Sequence, residues 1–298
     1  MPEASECLAD GQRYQRAGLL DRALECFERA AEASRHPSVL SEALRRAAGV
    51  HRARCDWDAA LSAARRSAEV ARAAGLVDLY AEALNAEANV CQSRGDFVAA
   101  SALLERALAL GPGSRVQGMA LQNLGTIAAR GGDLETAEQR YREAYERFHR
   151  AGYAQGEASA LVNFGGVVND RGDHELAEPI LRRAINVASD LEDGDLAAIA
   201  TKNYAEALAG QGRYSEAMYY ASSALGFFST AGQHWRQVEC FVLVGDISAQ
   251  LGEPTAAHSC WSQGLELARR IGAAPEVAAL ERRLASPDGE LAAPPGPR

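Results

Sequence analysis

The chain has 298 residues, 24% of them charged and 47% hydrophobic, and a net charge of −9. That acidic balance, with no run of clustered Lys and Arg, argues against a nucleic-acid surface. No stretch approaches the ~20 apolar residues of a membrane span. Six cysteines and six scattered His, with no Cys-x-x-Cys pair, fit no zinc site, so neither a metal nor a cofactor is expected. Cys55 and Cys91 occupy small-residue slots of the pattern described below and are expected to be buried free thiols. The N-terminal Met-Pro-Glu-Ala-Ser-Glu lacks a basic stretch followed by an apolar one, which points to a cytoplasmic protein.

In chain order, one ~40-residue pattern recurs seven times. Its turn positions are Gly18, Cys55, Gly95, Gly132, Gly172, Gly212 and Gly252. Five residues on comes Ala23, Ala60, Ala100, Ala137, Ala177, Ala217 or Ala257. A bulky slot follows, filled by Phe27, Leu104, Tyr141, Leu181 and Trp261 but by Ala64 and Ala221 in two copies. Seven residues before the turn stands a small residue, such as Gly11, Gly165 or Gly245. Leu121, Leu124, Ile127 and Ala128, then Leu134, Ala137, Tyr141 and Ala144, recur at three- and four-residue steps, so each copy reads as two helices.

The turn Gly supplies the left-handed cap of the first helix. Asp96, Asp133 and Asp173 suit the N-cap of the second. Pro179 falls inside a predicted helix and should kink it or loosen its first turns. Small residues at the crossing let the paired helices approach, and the bulky slot is expected to fill the gap against the next repeat. Repeats are placed at about 4–36, 38–75, 78–112, 115–152, 155–192, 195–232 and 235–271. A capping helix at 275–285 completes an array over 1–285, and residues 286–298 read as a disordered tail.

The stretch Asn123-Leu124-Gly125 through Gly132-Asp133-Leu134-Glu135-Thr136-Ala137 resembles the tetratricopeptide repeat, as does Asn163-Phe164-Gly165 through Gly172-Asp173-His174-Glu175-Leu176-Ala177. The ~40-residue variant is similar to repeats of kinesin light chains, polarity adaptors, bacterial Rap-type regulators and the sensor arms of bacterial activators. The resemblance implies an all-α fold, an α-solenoid coiled as a right-handed superhelix of seven helix pairs with a C-terminal cap. It also implies binding along a concave groove.

Nine residues before the turn, three successive repeats carry Asn123, Asn163 and Asn203. In the resembled family, Asn at this slot bonds the main chain of an extended peptide. A carboxamide both donates and accepts, so it can pair with a peptide N–H and C=O together. Gln122, Asn85, Asn89, Asn169 and Lys202 are placed on the same face. Arg45, Arg52 and Arg130 are expected to make the N-terminal half positive, and Glu206, Glu239 and Asp246 the C-terminal half acidic. Tyr141, Phe164, Tyr204 and Trp261 are assigned to packing, while Trp57 and Trp235 sit near helix starts where exposure is open.

No nucleophile elbow, phosphate loop or His-Glu-x-x-His is present, so a catalytic role is not expected. The leading expectation is a bacterial, non-catalytic scaffold holding an extended peptide or partner segment, with no nucleic acid and no membrane. One alternative is a sensor module for a peptide or small effector. The other is a subunit that self-associates as a homo-oligomer.

Overall fold

The computed structural model describes residues 2–285, so the expected tail at 286–298 lies outside the described residues. Fifteen helices fill the described chain, with no strand among the described residues. They are α1 (Pro2–Arg16), α2 (Leu20–Ala33), α3 (Pro37–Ala53), α4 (Trp57–Ala73), α5 (Val77–Ser93), α6 (Phe97–Ala109), α7 (Ser114–Arg130) and α8 (Leu134–Arg150), followed by α9 (Ala154–Asp170), α10 (His174–Asp190), α11 (Gly194–Gly210), α12 (Tyr214–Thr230), α13 (His234–Gln250), α14 (Pro254–Ile271) and α15 (Ala274–Ala285). They group into two compact units. Unit one holds Met1–Ala128 with Glu143–Tyr153, and unit two holds Ala129–Arg142 with Ala154–Arg298.

Local chemistry sets the helix ends. At the close of α5, the Asp96 N–H donates to the Cys91 carbonyl at 2.9 Å and the Gly95 N–H to the Gln92 carbonyl at 3.0 Å. That double closure needs a left-handed residue, and Gly95 supplies it at φ 81°. Asp56, Asp96, Asp133 and Asp193 then cap the next helix through the backbone N–H of Ala59, Ala99, Thr136 and Leu196.

Two sequence expectations are corrected. Asp173 does not cap α10. Its carboxylate pairs with Arg171 at 2.5 Å instead, a charge-assisted contact that outcompetes a neutral N–H. Pro179 lies inside α10, which runs from His174 to Asp190. Cys55 is exposed at φ 60°, because the turn slot selects for backbone conformation and not for burial. Cys91, on the inner side of α5, is buried.

The bulky slot meets the next repeat as expected, Phe27 on Ala47 and Val50 and Leu181 on Ala205 and Leu208, and it also packs on the small slot of its own repeat. A Cβ added to Gly165 would lie 2.5 Å from Leu181 Cγ, one on Gly11 2.5 Å from the Phe27 ring, and one on Gly245 2.4 Å from the Trp261 ring. Glycine thus makes the seat and the large side chain fills it. Phe27 and Leu181 are fully buried. In unit two, Leu181 joins Ala177, Ala205, Leu208 and Ile247 in one core, and Trp261 joins Leu267 and Leu280 in another. Val277 and Leu284 of α15 pack against that second core.

Candidate functional site

In unit one, α1, α3, α5 and α7 line a cleft of about 150 Å³. Its walls are Gln15, Arg45, Arg46, Gly49, Arg52, Glu82, Asn85, Ala86, Asn89 and Met119, with Ala48 at its base. Three of the expected binding residues converge beside it. The Asn123 amide nitrogen donates to Asn85 Oδ1 at 2.8 Å and to Asn89 Oδ1 at 2.9 Å. One amide group therefore ties α7 to α5. Among the described residues, the amide nitrogens of Asn85 and Asn89 and the Asn123 oxygen have no partner.

The charges around this cleft obey a repeat rule. An acid thirteen residues before the turn pairs with a base ten residues before the turn of the preceding repeat. Glu82 meets Arg45 at 2.9 Å, and in unit two Glu239 meets Lys202 at 3.7 Å. Glu82 is buried and also receives Arg115. Arg45 and Arg46 share Glu42. Burial lowers the Arg45 guanidinium from its ordinary value against the pull of Glu82, yet a guanidinium stays charged. Four guanidinium groups, Arg45, Arg46, Arg52 and Arg115, face two carboxylates, Glu42 and Glu82, so the cleft carries excess positive charge. Arg52 is exposed and, among the described residues, without an ion pair.

Unit two holds Asn163 on α9, and Lys202 and Asn203 on α11. The Asn203 amide nitrogen lies over Gly166, 3.2 Å from where a Cβ would stand. Lys202 sits between Glu206 at 3.0 Å and Glu239 at 3.7 Å. Burial alone would lower its ammonium, but the two carboxylates outweigh that and raise it. Its charge is already neutralised within the unit. The carboxylates at Glu206, Glu239 and Asp246 are likewise engaged, Asp246 by Arg283 at 2.7 and 2.8 Å. Asn169 does not join Asn203. It is buried and bonded to His174 Nδ1 at 2.5 Å, where it braces the α9–α10 turn.

Gln122 is half-buried on α7, and Arg130 is exposed at the end of that helix. Tyr141, Tyr204 and Trp261 are buried as expected, Phe164 partly so beneath the Arg142 guanidinium, and Trp235 is half exposed. The sequence reading did not single out Glu82, Arg46, Gln15 or Met119. The recurrence of Glu42, Glu82 and Glu239 at one repeat slot was the available signal. Among the described residues no group of His, Cys, Asp or Glu has the arrangement of a metal site. No described helix is long and apolar enough to cross a membrane.

Comparison with known proteins places this geometry. A family model described as tetratricopeptide repeat matches residues 39–112 and 156–229. The regulatory protein AfsR of Streptomyces griseus is 30% identical over 219 residues, covering 71% of this chain and 21% of that protein. The chain therefore spans about a fifth of the length of that curated relative.

Among solved structures, a Rap protein complexed with competence and sporulation factor aligns at TM-score 0.68 and 15% identity, covering 94% of this chain and 80% of its own. The tetratricopeptide-repeat sensor protein of the STAND ATPase class from Pyrococcus horikoshii aligns at TM-score 0.70 and 11% identity, covering 92% and 44%. BtubC from P. vanneervenii aligns at TM-score 0.62 and 18% identity, covering 72% and 92%. These likenesses show the fold. The segments 39–112 and 156–229, with the helix pairs, the turn glycines and the Gly-to-bulky seats described above, are tetratricopeptide repeats.

Proposed function

We propose that this chain is a non-catalytic protein-interaction module whose unit-one cleft takes an extended segment of a partner protein. The observation that carries the reading is the carboxamide set Asn85, Asn89 and Asn123 beside Arg52. It pairs peptide-like hydrogen-bonding groups left without a partner with an unneutralised cation. The carboxamides would engage main-chain N–H and C=O groups irrespective of side chain. Arg52, with Arg46 behind it, would favour a segment bearing carboxylates. Asn163 and Asn203 hold the same repeat slot in unit two, and we assign them the same role there.

The test is selection of 12-residue peptides from a random display library on the full chain, followed by affinity measurement on R52E and N89A. Arg52 is exposed, so R52E should keep the wild-type melting temperature, while N89A removes one of the two acceptors of the Asn123 amide and its affinity is read well below its own melting point. Peptides enriched in Asp and Glu that bind R52E at least tenfold more weakly support the reading. Peptides that bind both variants as they bind wild type refute it.

A second reading is favoured by one observation, the 30% identity with a protein described as regulatory. In that reading the bound segment or a small effector signals, and the chain acts as the sensing part of a regulatory protein. Selected peptides that bind without altering hydrogen exchange in the unit-one helices would favour the scaffold. Protection spreading along α1–α7 would favour the sensor.

A further inference from the structure

A second concavity of unit one lies apart from the carboxamide cleft, between α2, α3 and α4. It measures about 350 Å³, within the roughly 300–1,000 Å³ range of ligand clefts. Its floor is apolar, made by Phe27, Ala31, Leu44 and Ala47, and its walls are the second helices of repeats one and two.

The sequence explains why it is open. Eight residues after the turn, repeats three, five and six carry Leu103, Ile180 and Tyr220, each packed against its own core. Repeat two has Ala63 there, and Ala64 in the neighbouring bulky slot. With Ala59 also on this face, α4 offers a low wall along which a second backbone can come close.

The opposite wall is acidic. Asp21, Glu25, Glu28 and Glu32 recur at three- and four-residue steps along α2. Glu28 and Glu32 line the concavity, are exposed and, among the described residues, have no ion pair. Asp21 at the far end is held by Arg54 at 3.0 Å. Arg66 stands on the α4 wall, also without an ion pair among the described residues.

We propose that this groove docks an amphipathic helix of a partner protein, with its apolar ridge against the half-buried Ala31, Ala59 and Ala63 and a Lys or Arg edge along α2. The groove follows two helices, which suits a helical occupant reading out at one-turn spacing. The unpaired Glu28 and Glu32 fix the sign of the facing edge, and Arg66 calls for an acidic or polar residue on the other edge. The site is separate from the carboxamide cleft and does not depend on the function assigned to it.

The test uses two labelled 14-residue helical peptides, one a Leu/Lys amphipathic sequence with Gln on the edge that meets Arg66 and the other its Leu/Glu counterpart, in fluorescence anisotropy with the full chain at 0.15 M salt. Wild type should bind the Leu/Lys peptide and not the Leu/Glu peptide. A63F fills the groove from within, and S62W blocks it from the exposed residue Ser62, so the result does not hang on one variant folding. Each should weaken Leu/Lys binding at least tenfold at an unchanged melting temperature. E28K/E32K should do the same and admit the Leu/Glu peptide. Absence of Leu/Lys binding to wild type overturns the proposal. So does equal binding by wild type, S62W and E28K/E32K, which would reduce it to general attraction to an acidic chain.

Discussion

Gly165→Ala and Gly226→Ala make the same chemical change in the middle of two helices of unit two, and the structure assigns them opposite signs. Replacing a mid-helix Gly by Ala gains about 1 kcal/mol of helix propensity at either site. At Gly226, on α12, an added Cβ meets nothing within 4 Å, so G226A should stabilise by about that amount. At Gly165 the same atom would stand 2.5 Å from Leu181 Cγ and 2.6 Å from its Cδ2. Cγ is the branch point of a fully buried side chain, so the neighbour cannot simply swing aside. Overpacking of this kind costs roughly 1–3 kcal/mol, which cancels or exceeds the propensity gain. The two variants should therefore differ by roughly 1–3 kcal/mol, with G165A the weaker.

Repeat arrays can open segment by segment, so the readout should be local as well as global. Urea midpoints give the order of the variants, and native-state hydrogen exchange on α9 and α10 shows where stability is lost. A double-mutant cycle adds a second check. In G165A/L181A the clash is gone, so the double variant should be more stable than the sum of the single costs predicts. Equal midpoint shifts for G165A and G226A, or strict additivity in the cycle, would refute the reasoning that the bulky slot seats on its own repeat's glycine.

Four further outcomes are expected. N123A orphans the Asn85 and Asn89 oxygens, and Asn85 is only 3% exposed, so calorimetry should show a loss of about 1–3 kcal/mol. N203A, over Gly166, should change stability little. Replacing Cys55, held at φ 60°, with Gly should raise stability by up to about 1 kcal/mol, because a side chain there costs roughly 1–2 kcal/mol and Gly returns part of that gain as chain entropy. For pH, burial pushes the Cys240 thiol up to about 12, and the Lys202 ammonium is raised, its burial outweighed by Glu206 and Glu239. Both groups hold their protons longer folded than unfolded. Their stabilisation is present below the ordinary thiol value near 9 and is lost progressively as the pH rises toward 12. Urea midpoints at pH 8, 9.5 and 11 should fall in that order, and less steeply in C240A.

The repeat, its helix pairs, the turn glycines and most Asp caps were legible because they are local. A small residue, a turn Gly and an Ala stripe at fixed spacing each report on the backbone within a turn or two. The burial of Tyr141, Tyr204 and Trp261 followed from the same period. Which groups meet across repeats was not legible, because that depends on how one helix pair lies on the next. Asn123, Asn163 and Asn203 share a slot, yet Asn123 is bonded to Asn85 and Asn89 while Asn203 lies over Gly166. Lys202 and Arg45 read as free cations in the sequence and are paired with carboxylates of the following repeat in the structure. Arg52, from the same reading, stays unpaired among the described residues. The sequence by itself determined the fold class and the period, since short-range spacing dictates both. Tertiary structure alone decided which polar side chains are consumed holding repeats together and which remain to meet a partner, since that is settled by distances between residues some forty positions apart.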